Sequence, residues 1–576
     1  MTGTPERLRG DEPPLDTPAM DRGSAYALLA VFGAGVFLAG LELMITAVAL
    51  PSILADLVDA DGTSAWIELR KASWIINGYL LVYILMMPLA GRIADLWGAR
   101  RPFIAALAIF TLGSALAGMA QNLDQLIAAR LVQAAGGGIL VPVGTAAAAH
   151  LFAGGARPRA LGVIGALTFL GMAAGPFLGA AILSAVHPEE ALIRAGLANS
   201  AIADIASPAW RWIFYINVPI GLVGIVLAWA VGAGWDTPRR AGRLDVVGAA
   251  LFGIALAAGL IALTLLGATS IAGTDLDPGT VSAGLGVLAF AATLLAIVRA
   301  LRTDDPFLDV RLFRSRSFSA ASLVSLLTGY AFATAIIGGA VFVDRVLYGG
   351  HDEQRLALGS LAAATAVGAL VSGFAVRVAS YSVVTLLGLA LSVAGLAAMA
   401  MWDPTTDIRA AALALGVFGF GFGLSVTPRS TAAVEAAGRT AFGVASSVVT
   451  VARMLGMAIG LAVLTAYGST TIDRLSADIY ATPDAYLAFI PENLRDRPLR
   501  DPLVVEALES WASREAASIM VELFVVAALV TVAAIAPALA LGAATRRGPA
   551  PADDPSPRDD PRMLAGDGSK DPGVIF

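Results

Sequence analysis

Apolar residues run along this chain in long blocks separated by short polar breaks, with neither the alternation of a half-buried strand nor the narrow stripe of a surface helix. A helix crosses a membrane in about 20 apolar residues. On that length the pattern predicts spans near 26–52, 73–91, 103–121, 125–149, 160–185, 212–233, 245–269, 280–301, 318–347, 357–377, 382–401, 409–430, 442–468 and 517–542. The prediction is an all-α polytopic membrane protein of fourteen helices, the ninth and thirteenth long enough to protrude or tilt.

Charge follows the same partition. One set of loops holds Arg92, Arg100 and Arg101, then Arg157 and Arg159, Arg239, Arg240 and Arg243, Arg302, Arg311, Arg314 and Arg316, Arg429 and Arg439, and Arg546 and Arg547. The opposite set is acidic, with Asp56, Asp59 and Asp61, Glu189 and Glu190, Asp275 and Asp277, Asp352 and Glu353, and Asp403 and Asp407. Arginine accumulates on the cytoplasmic side, so an even helix count puts both termini in the cytoplasm of a protein of the cell (inner) membrane.

One stretch occurs twice. Leu170-Gly-Met-Ala-Ala-Gly175 returns as Leu455-Gly-Met-Ala-Ile-Gly460, an offset of 455 − 170 = 285. One span earlier, Gly136-Gly-Gly-Ile-Leu-Val-Pro142 resembles Gly421-Phe-Gly-Leu-Ser-Val-Thr-Pro428, where 428 − 142 = 286. The offset pairs the fourth span with the twelfth and the fifth with the thirteenth. Two six-helix halves, 25–233 and 302–545, with a two-helix hairpin at 234–301 between them satisfy that shift of eight. Residues 1–24 and 546–576 read as disordered cytoplasmic tails. The segment 469–516 is too long for a simple connector, and its amphipathic ends predict that the last two helices continue outside the membrane.

Composition narrows the chemistry. The chain is 57% hydrophobic and 14% charged, against about a quarter charged in soluble proteins. Cysteine is absent, which excludes disulfides and thiolate sites, and His150, His187 and His351 are too scattered for a metal. The only lysines are Lys71 and Lys570, and no basic tract suits nucleic acid. No phosphate loop of the GxxxxGK[ST] type is present, so no cofactor and no ATP-driven step is expected of this chain.

Six motifs are recognisable along the chain. Gly91-Arg-Ile-Ala-Asp-Leu-Trp-Gly-Ala-Arg-Arg101 occupies the predicted turn after the second span. It resembles the G-x-L-A-D-R-x-G-R-R/K signature of the major facilitator superfamily, with Leu96 and Ala99 in place of two basic residues. Ser73-Trp-Ile-Ile-Asn-Gly-Tyr79 with Pro88 resembles that family's second helix, and Ala129-Arg-Leu-Val-Gln-Ala-Ala-Gly-Gly-Gly138 its fourth. Gly171-Met-Ala-Ala-Gly-Pro-Phe-Leu-Gly179 resembles the G-x-x-x-G-P-x-x-G motif of antiporters. Trp210-Arg-Trp-Ile-Phe-Tyr-Ile-Asn-Val-Pro-Ile-Gly221 and Leu41-Glu-Leu-Met-Ile-Thr-Ala-Val-Ala-Leu-Pro51 are similar to stretches of the fourteen-helix drug:proton antiporters, with Glu42 for Asp and Met44 for Thr. The resemblance implies a gate at Gly91, Asp95, Gly98, Arg100 and Arg101, with Asp95 latching the halves, and an antiporter element at Gly171, Gly175, Pro176 and Gly179.

Proton coupling needs a group that changes charge inside the membrane, and intramembrane ionisable residues are functional by default. Glu42 is the leading candidate: hydrocarbon disfavours its carboxylate and a nearby cation favours it. It could equally serve a cationic substrate or be simply hydrogen-bonded. Arg453 stands at the repeat position of Thr168 and is either the cation beside such a carboxyl or a pin between helices; Arg130 belongs with the coupling group. Trp74, Tyr79, Tyr83, Phe169 and Met172 are candidates for an apolar substrate path, and Asp344 and Arg345 read as outer-rim groups.

The resemblance implies a secondary transporter that exports a hydrophobic or amphipathic compound in exchange for protons. A second reading keeps the fold and changes the cargo. Tyr79-Leu-Leu-Val-Tyr-Ile-Leu-Met-Met-Pro-Leu-Ala-Gly91 and the extended last helices resemble mycobacterial triacylglyceride exporters, which implies a lipid cargo and an envelope lipoprotein as partner. A non-transporting sensor or scaffold would need neither Glu42 nor Arg453.

Overall fold

The computed structural model describes residues 21–57, 74–197, 200–239, 242–266, 276–438, 441–479, 485–498 and 500–541. The expected tails therefore lie outside the described residues, apart from 21–24, as do 480–484 and 499 of the long segment. Among the described residues fourteen helices are long and apolar enough to cross a membrane. The first six are α1 (Arg22–Leu57), α2 (Trp74–Trp97), α3 (Arg100–Gly118), α4 (Leu123–Leu151), α5 (Arg157–Ala185) and α6 (Asn217–Val231, led in by the turn Trp212–Tyr215). Then come the pair α7 (Val246–Leu265) and α8 (Pro278–Arg302). The last six are α9 (Arg316–Val341, ending in a π turn at Phe342–Val346), α10 (His351–Ala375), α11 (Tyr381–Met399), α12 (Ile408–Ala437), α13 (Phe442–Ile479) and α14 (Pro502–Ala533).

Several ends differ from the hydropathy reading, for one reason: counting apolar residues stops where polar ones begin, while helical hydrogen bonding does not. α1 begins at Arg22, inside the stretch assigned to the tail. α2 runs to Trp97, so Gly91 and Asp95 lie within the helix and the turn is only Gly98–Ala99, with Gly98 at φ +85°. α12 continues to Ala437, which moves Arg429 from a loop into a helix interior. α13 reaches Ile479 and α14 starts at Pro502, so both continue beyond their apolar spans, as the amphipathic ends of 469–516 predict.

The duplication is built into the packing. In the first half α1 packs on α4, α5 and α6, α3 on α4 and α6, and α4 on α2 and α5. Adding eight to each label gives the packing of the second half: α9 on α12, α13 and α14, α11 on α12 and α14, and α12 on α10 and α13. The halves meet through α5 with α10 and α12, and through α13 with α2 and α4, again related by that shift. α7 and α8 pack mainly on each other and touch the rest through α7 against α2 and α13. Asp245, just outside α7, joins the pair to Arg299 of α8 at 2.7 Å and to the Gly248 amide at 2.9 Å. Burial opposes ionisation of Asp245, but these bonds outweigh it and hold its carboxyl below the usual range.

The repeated glycines are the points of closest approach. A Cβ on Gly171 would lie 2.9 Å from the Leu41 nitrogen of α1, and one on Gly456 would lie 2.9 Å from the Tyr330 nitrogen of α9. Small residues let helix backbones touch in this way. The antiporter-motif glycines Gly171, Gly175 and Gly179 thus seat α5 on α1 of its own half, whereas contact with the opposite half is made by Gly162 and Gly165 against Ala369 and Val426. Any side chain at either repeat position must push two helices apart, at about 1–3 kcal/mol. Gly171→Leu and Gly456→Leu should therefore each lower the unfolding temperature in detergent by a similar amount, and an unchanged temperature would contradict this packing.

Candidate functional site

The first half holds a buried charge cluster built by four helices. Glu42 of α1 is 0% exposed and both of its oxygens are engaged. Arg130 Nη1 of α4 donates to Oε1 at 2.5 Å, Thr46 Oγ1 donates to the same oxygen at 3.1 Å, and Asn217 Nδ2 of α6 donates to Oε2 at 2.7 Å. Arg130 also donates to Gln133 Oε1 at 2.6 Å, and Gln133 donates to Ser114 Oγ of α3 at 2.7 Å. The Tyr79 ring of α2 lies under the guanidinium, 4.0 Å from Cζ, and Tyr83 stacks on Tyr79 at 5.7 Å. A break in the chain before α6 aims Asn217 at this point. It is held by Trp210 Nε1 donating to Asp56 at 3.1 Å and by Arg211, which donates to the carbonyls of Ser207, Gly118 and Ala120.

The cation beside Glu42 is therefore Arg130. Arg453, the other candidate, is not brought to Glu42; its guanidinium lies 5.5 Å from the Phe169 centroid, and among the described residues it has no carboxylate partner. α5 and α13 occupy equivalent places in the two halves, so the arginine on α13 faces the centre from the opposite side. Asn217 and Gln133 were missed as site residues although both stand inside quoted motifs. Their signal was the pairing of an amide with a charge in an apolar span.

A second cluster closes the arginine-rich face. Asp95 of α2 accepts from the amides of Gly443 at 2.7 Å and Val444 at 2.9 Å, at the start of α13. A carboxylate there satisfies orphan helix donors and sits at the positive end of the helix dipole. Arg157 of α5 reaches Glu435 of α12 at 3.9 Å. Arg92 is buried and paired with Asp305, not exposed in a loop. Arg100 ties the turn to the end of α6 through the carbonyls of Ala228 and Trp229, while Arg101 is exposed.

The path candidates divide. Tyr79, Tyr83, Phe169 and Met172 are buried, whereas Trp74 is 45% exposed at the far end of α2. Phe169 meets Phe332 and Phe422 at 5.6 and 5.5 Å, an aromatic cluster shared by α5, α9 and α12. Asp344 and Arg345 pair with each other at 3.0 Å, exposed at the end of α9.

Residues 32–461 match the family model described as Major Facilitator Superfamily. The chain is 32% identical over 450 residues to a triacylglyceride transporter of Mycolicibacterium hassiacum, covering 75% of this chain and 78% of that one. It is 25% identical over 449 residues to the multidrug transporter protein MdtP of Bacillus subtilis, covering 77% and 75%. The solved structure of the human organic anion transporter MFSD10 superposes with a TM-score of 0.55 at 14% identity, covering 88% of this chain and 99% of that one, a likeness of fold alone.

Two outcomes follow from the clusters. Arg130→Ala leaves a buried carboxylate without its cation and should cost about 3–5 kcal/mol, whereas the double change Glu42→Gln with Arg130→Gln should cost less than Arg130→Ala alone; thermal unfolding of the set reads the coupling. Asp95→Asn replaces an oxygen that accepts an amide with a donor. In the cysteine-free chain, spin labels at Arg101 and Val378 should then show a longer distance population, and an unaltered distribution would sink the latch.

Proposed function

Because this chain belongs to the Major Facilitator Superfamily, and is a multi-pass membrane transporter and not an enzyme, we propose that it exports a lipid-like hydrophobic or amphipathic compound in exchange for protons. The arginine-rich face is then the cytoplasmic one, with both termini on that side of the cell membrane. The observation that favours a lipid over a small drug is the length of the last two helices. α13 has 38 residues and α14 has 32, about 57 and 48 Å at 1.5 Å per residue, against a hydrocarbon core of about 30 Å. The extension of α14 is anchored and not loose. Ser513 Oγ of α14 donates to the Val346 carbonyl at 2.9 Å, and Trp511 packs on Phe489 of the connecting segment at 4.7 Å. A braced projection suits a cargo that leaves into the outer leaflet, and an envelope lipoprotein is a fitting acceptor there.

In this reading Glu42 carries the proton. Protonation removes the charge that holds Arg130, and the released guanidinium must find another acceptor, which makes the carboxyl's charge a determinant of helix packing. Asp95 holds the cytoplasmic face shut until α2 and α13 separate. A drug cargo is the second reading, supported by the likeness to a multidrug transporter.

The test uses the purified chain in vesicles with an imposed pH gradient, comparing transfer of a labelled acylglycerol with uptake of a lipophilic cation. Gradient-driven lipid transfer, reduced tenfold or so by Glu42→Gln, is the expected result; an effect of that size corresponds to about 1.4 kcal/mol. Cation uptake without lipid transfer would replace the lipid reading with the drug reading. Transport that ignores the gradient in wild type would remove proton exchange from both.

A further inference from the structure

The fully buried arginines of the two halves are treated differently. In the first half and its flanks each buried arginine has an acid: Arg130 has Glu42, Arg92 has Asp305 and Arg211 has Asp56. In the second half Arg429 of α12 is 1% exposed, yet among the described residues no carboxylate meets it. Its Nη1 donates to Thr328 Oγ1 of α9, and its Nη2 is buried with no partner among the described residues. Arg453 of α13, half-buried, likewise has no acid among the described residues, as does half-buried Arg159 at the start of α5, which lies over Phe374 and outside this cluster. A charge in an apolar interior needs a counter-charge or a wet cavity, and a buried donor without an acceptor is rare enough to point to something absent from the site.

The surroundings say what is absent. Arg429 stands 5.1 Å from the Phe422 ring and Arg453 stands 5.5 Å from the Phe169 ring, and these two rings meet edge to face at 5.5 Å. The two guanidiniums thus flank one aromatic pair. Phe332 stacks on Phe422 at 4.5 Å and continues the apolar surface. Arg429 lies eight residues before the end of α12 and Arg453 eleven residues after the start of α13. At 1.5 Å per residue these are about 12 and 16 Å from the arginine-rich face. Phe422 lies deeper on α12, seven residues before Arg429, and gathers Phe169 of α5 and Phe332 of α9 around it, while the Asp95 latch lies shallower, at Gly443 and Val444. From the arginine-rich face inward the order is latch, two cations, aromatic surface.

We propose that Arg429 and Arg453 form the binding site for the oxyanion head of an amphiphile, a carboxylate or phosphate, whose acyl tail lies against Phe169, Phe332 and Phe422. Guanidinium forks match the geometry of carboxylate and phosphate oxygens, and a ligand that brings the missing charge satisfies both cations at once. The substrate class is then an anionic lipid with a free acidic head. This deepens the lipid-export reading and rests on it. Arg429 escapes notice in the sequence because the apolar run stops beside it, which makes it look like a loop arginine.

The experiment measures thermal unfolding of the full chain in neutral detergent with four probes: oleate, lysophosphatidate, the uncharged monoolein, and inorganic phosphate. Oleate or lysophosphatidate should raise the unfolding temperature, and whichever does so identifies the head as carboxylate or phosphate. Monoolein and inorganic phosphate, lacking the head or the tail, should leave it unchanged. Arg429→Gln and Arg453→Gln should each weaken the apparent affinity about tenfold or more, and Arg453→Lys should retain part of it. The unliganded Arg453→Gln protein should also unfold at a higher temperature than wild type, because an unpaired charge has been removed; a merely structural arginine would give the opposite sign. Equal stabilisation by monoolein, or anion binding that survives both glutamine changes, would overturn the proposal. Transfer of labelled oleate or lysophosphatidate in vesicles that is insensitive to Arg429→Gln would overturn it too, while leaving lipid export standing.

Discussion

A charge between helices in an apolar interior must be answered by another group, because no water is there to answer it. That constraint organises this protein more than any helix propensity does. Glu42 satisfies it with Arg130, Asn217 and Thr46, and in doing so ties α1, α4 and α6 to one point. Gln133 and Ser114 extend the tie to α3. Four helices of the first half thus share one electrostatic centre, and changing the charge of one carboxyl alters the terms on which all four pack. Nothing comparable exists among the described residues of the second half, where the packing of α9, α12 and α13 is the same but Arg429 and Arg453 go without an acid.

The contrast is sharpest at the repeat itself. Thr168 and Arg453 occupy equivalent places, 453 − 168 = 285, and each presents its backbone carbonyl to a glycine of the neighbouring helix, Gly40 and Gly329 respectively. The backbone contact is therefore indifferent to the side chain, and duplication left that side chain free to diverge. In the first half it is a hydroxyl that donates to its own helix at Ile164, 2.9 Å away, and faces no charge. In the second it is a guanidinium. The scaffold supplies symmetry and the side chains break it.

Much of this was legible in the sequence. The number of helices, the eight-helix shift and the inserted pair all follow from hydropathy and two matching offsets, because membrane helices must be apolar over a set length and because helix-packing glycines tolerate no replacement. The helix ends were legible only in part: the continuation of α13 and α14 showed in their amphipathic flanks, whereas α2 and α12 continue through polar residues that hydropathy counts as loop. The partner of Glu42 was legible only as a set. Glu42, Arg130 and Arg453 all stood out as intramembrane charges, but choosing between two arginines requires knowing that α4 lies beside α1 while α13 lies across the centre. Phe169 and Met172 looked like path residues and are buried in a shared aromatic cluster; Trp74 looked similar and is exposed, because its position at the end of α2 takes it out of the interior.

One helix touches Arg130, Arg453 and the start of α13. α2 carries Tyr79 under Arg130, Tyr83 stacked on Tyr79 and neighbouring Arg453, and Asp95 at the start of α13. From Tyr79 to Asp95 is sixteen residues on one helix, about 24 Å at 1.5 Å per residue, and a helix transmits displacement along its axis far better than a loop does. Arg130 holds its place over the Tyr79 ring for as long as Glu42 holds Arg130, and the ring's hydroxyl is buried without a partner among the described residues. The latch grips α13 by two backbone amides, which requires α2 and α13 to keep one register. In the proposed exchange, a change of charge at Glu42 would act on the one helix whose position decides whether the two amides can be reached, and the packed route from carboxyl to latch needs no residue outside α1, α2, α4 and α13.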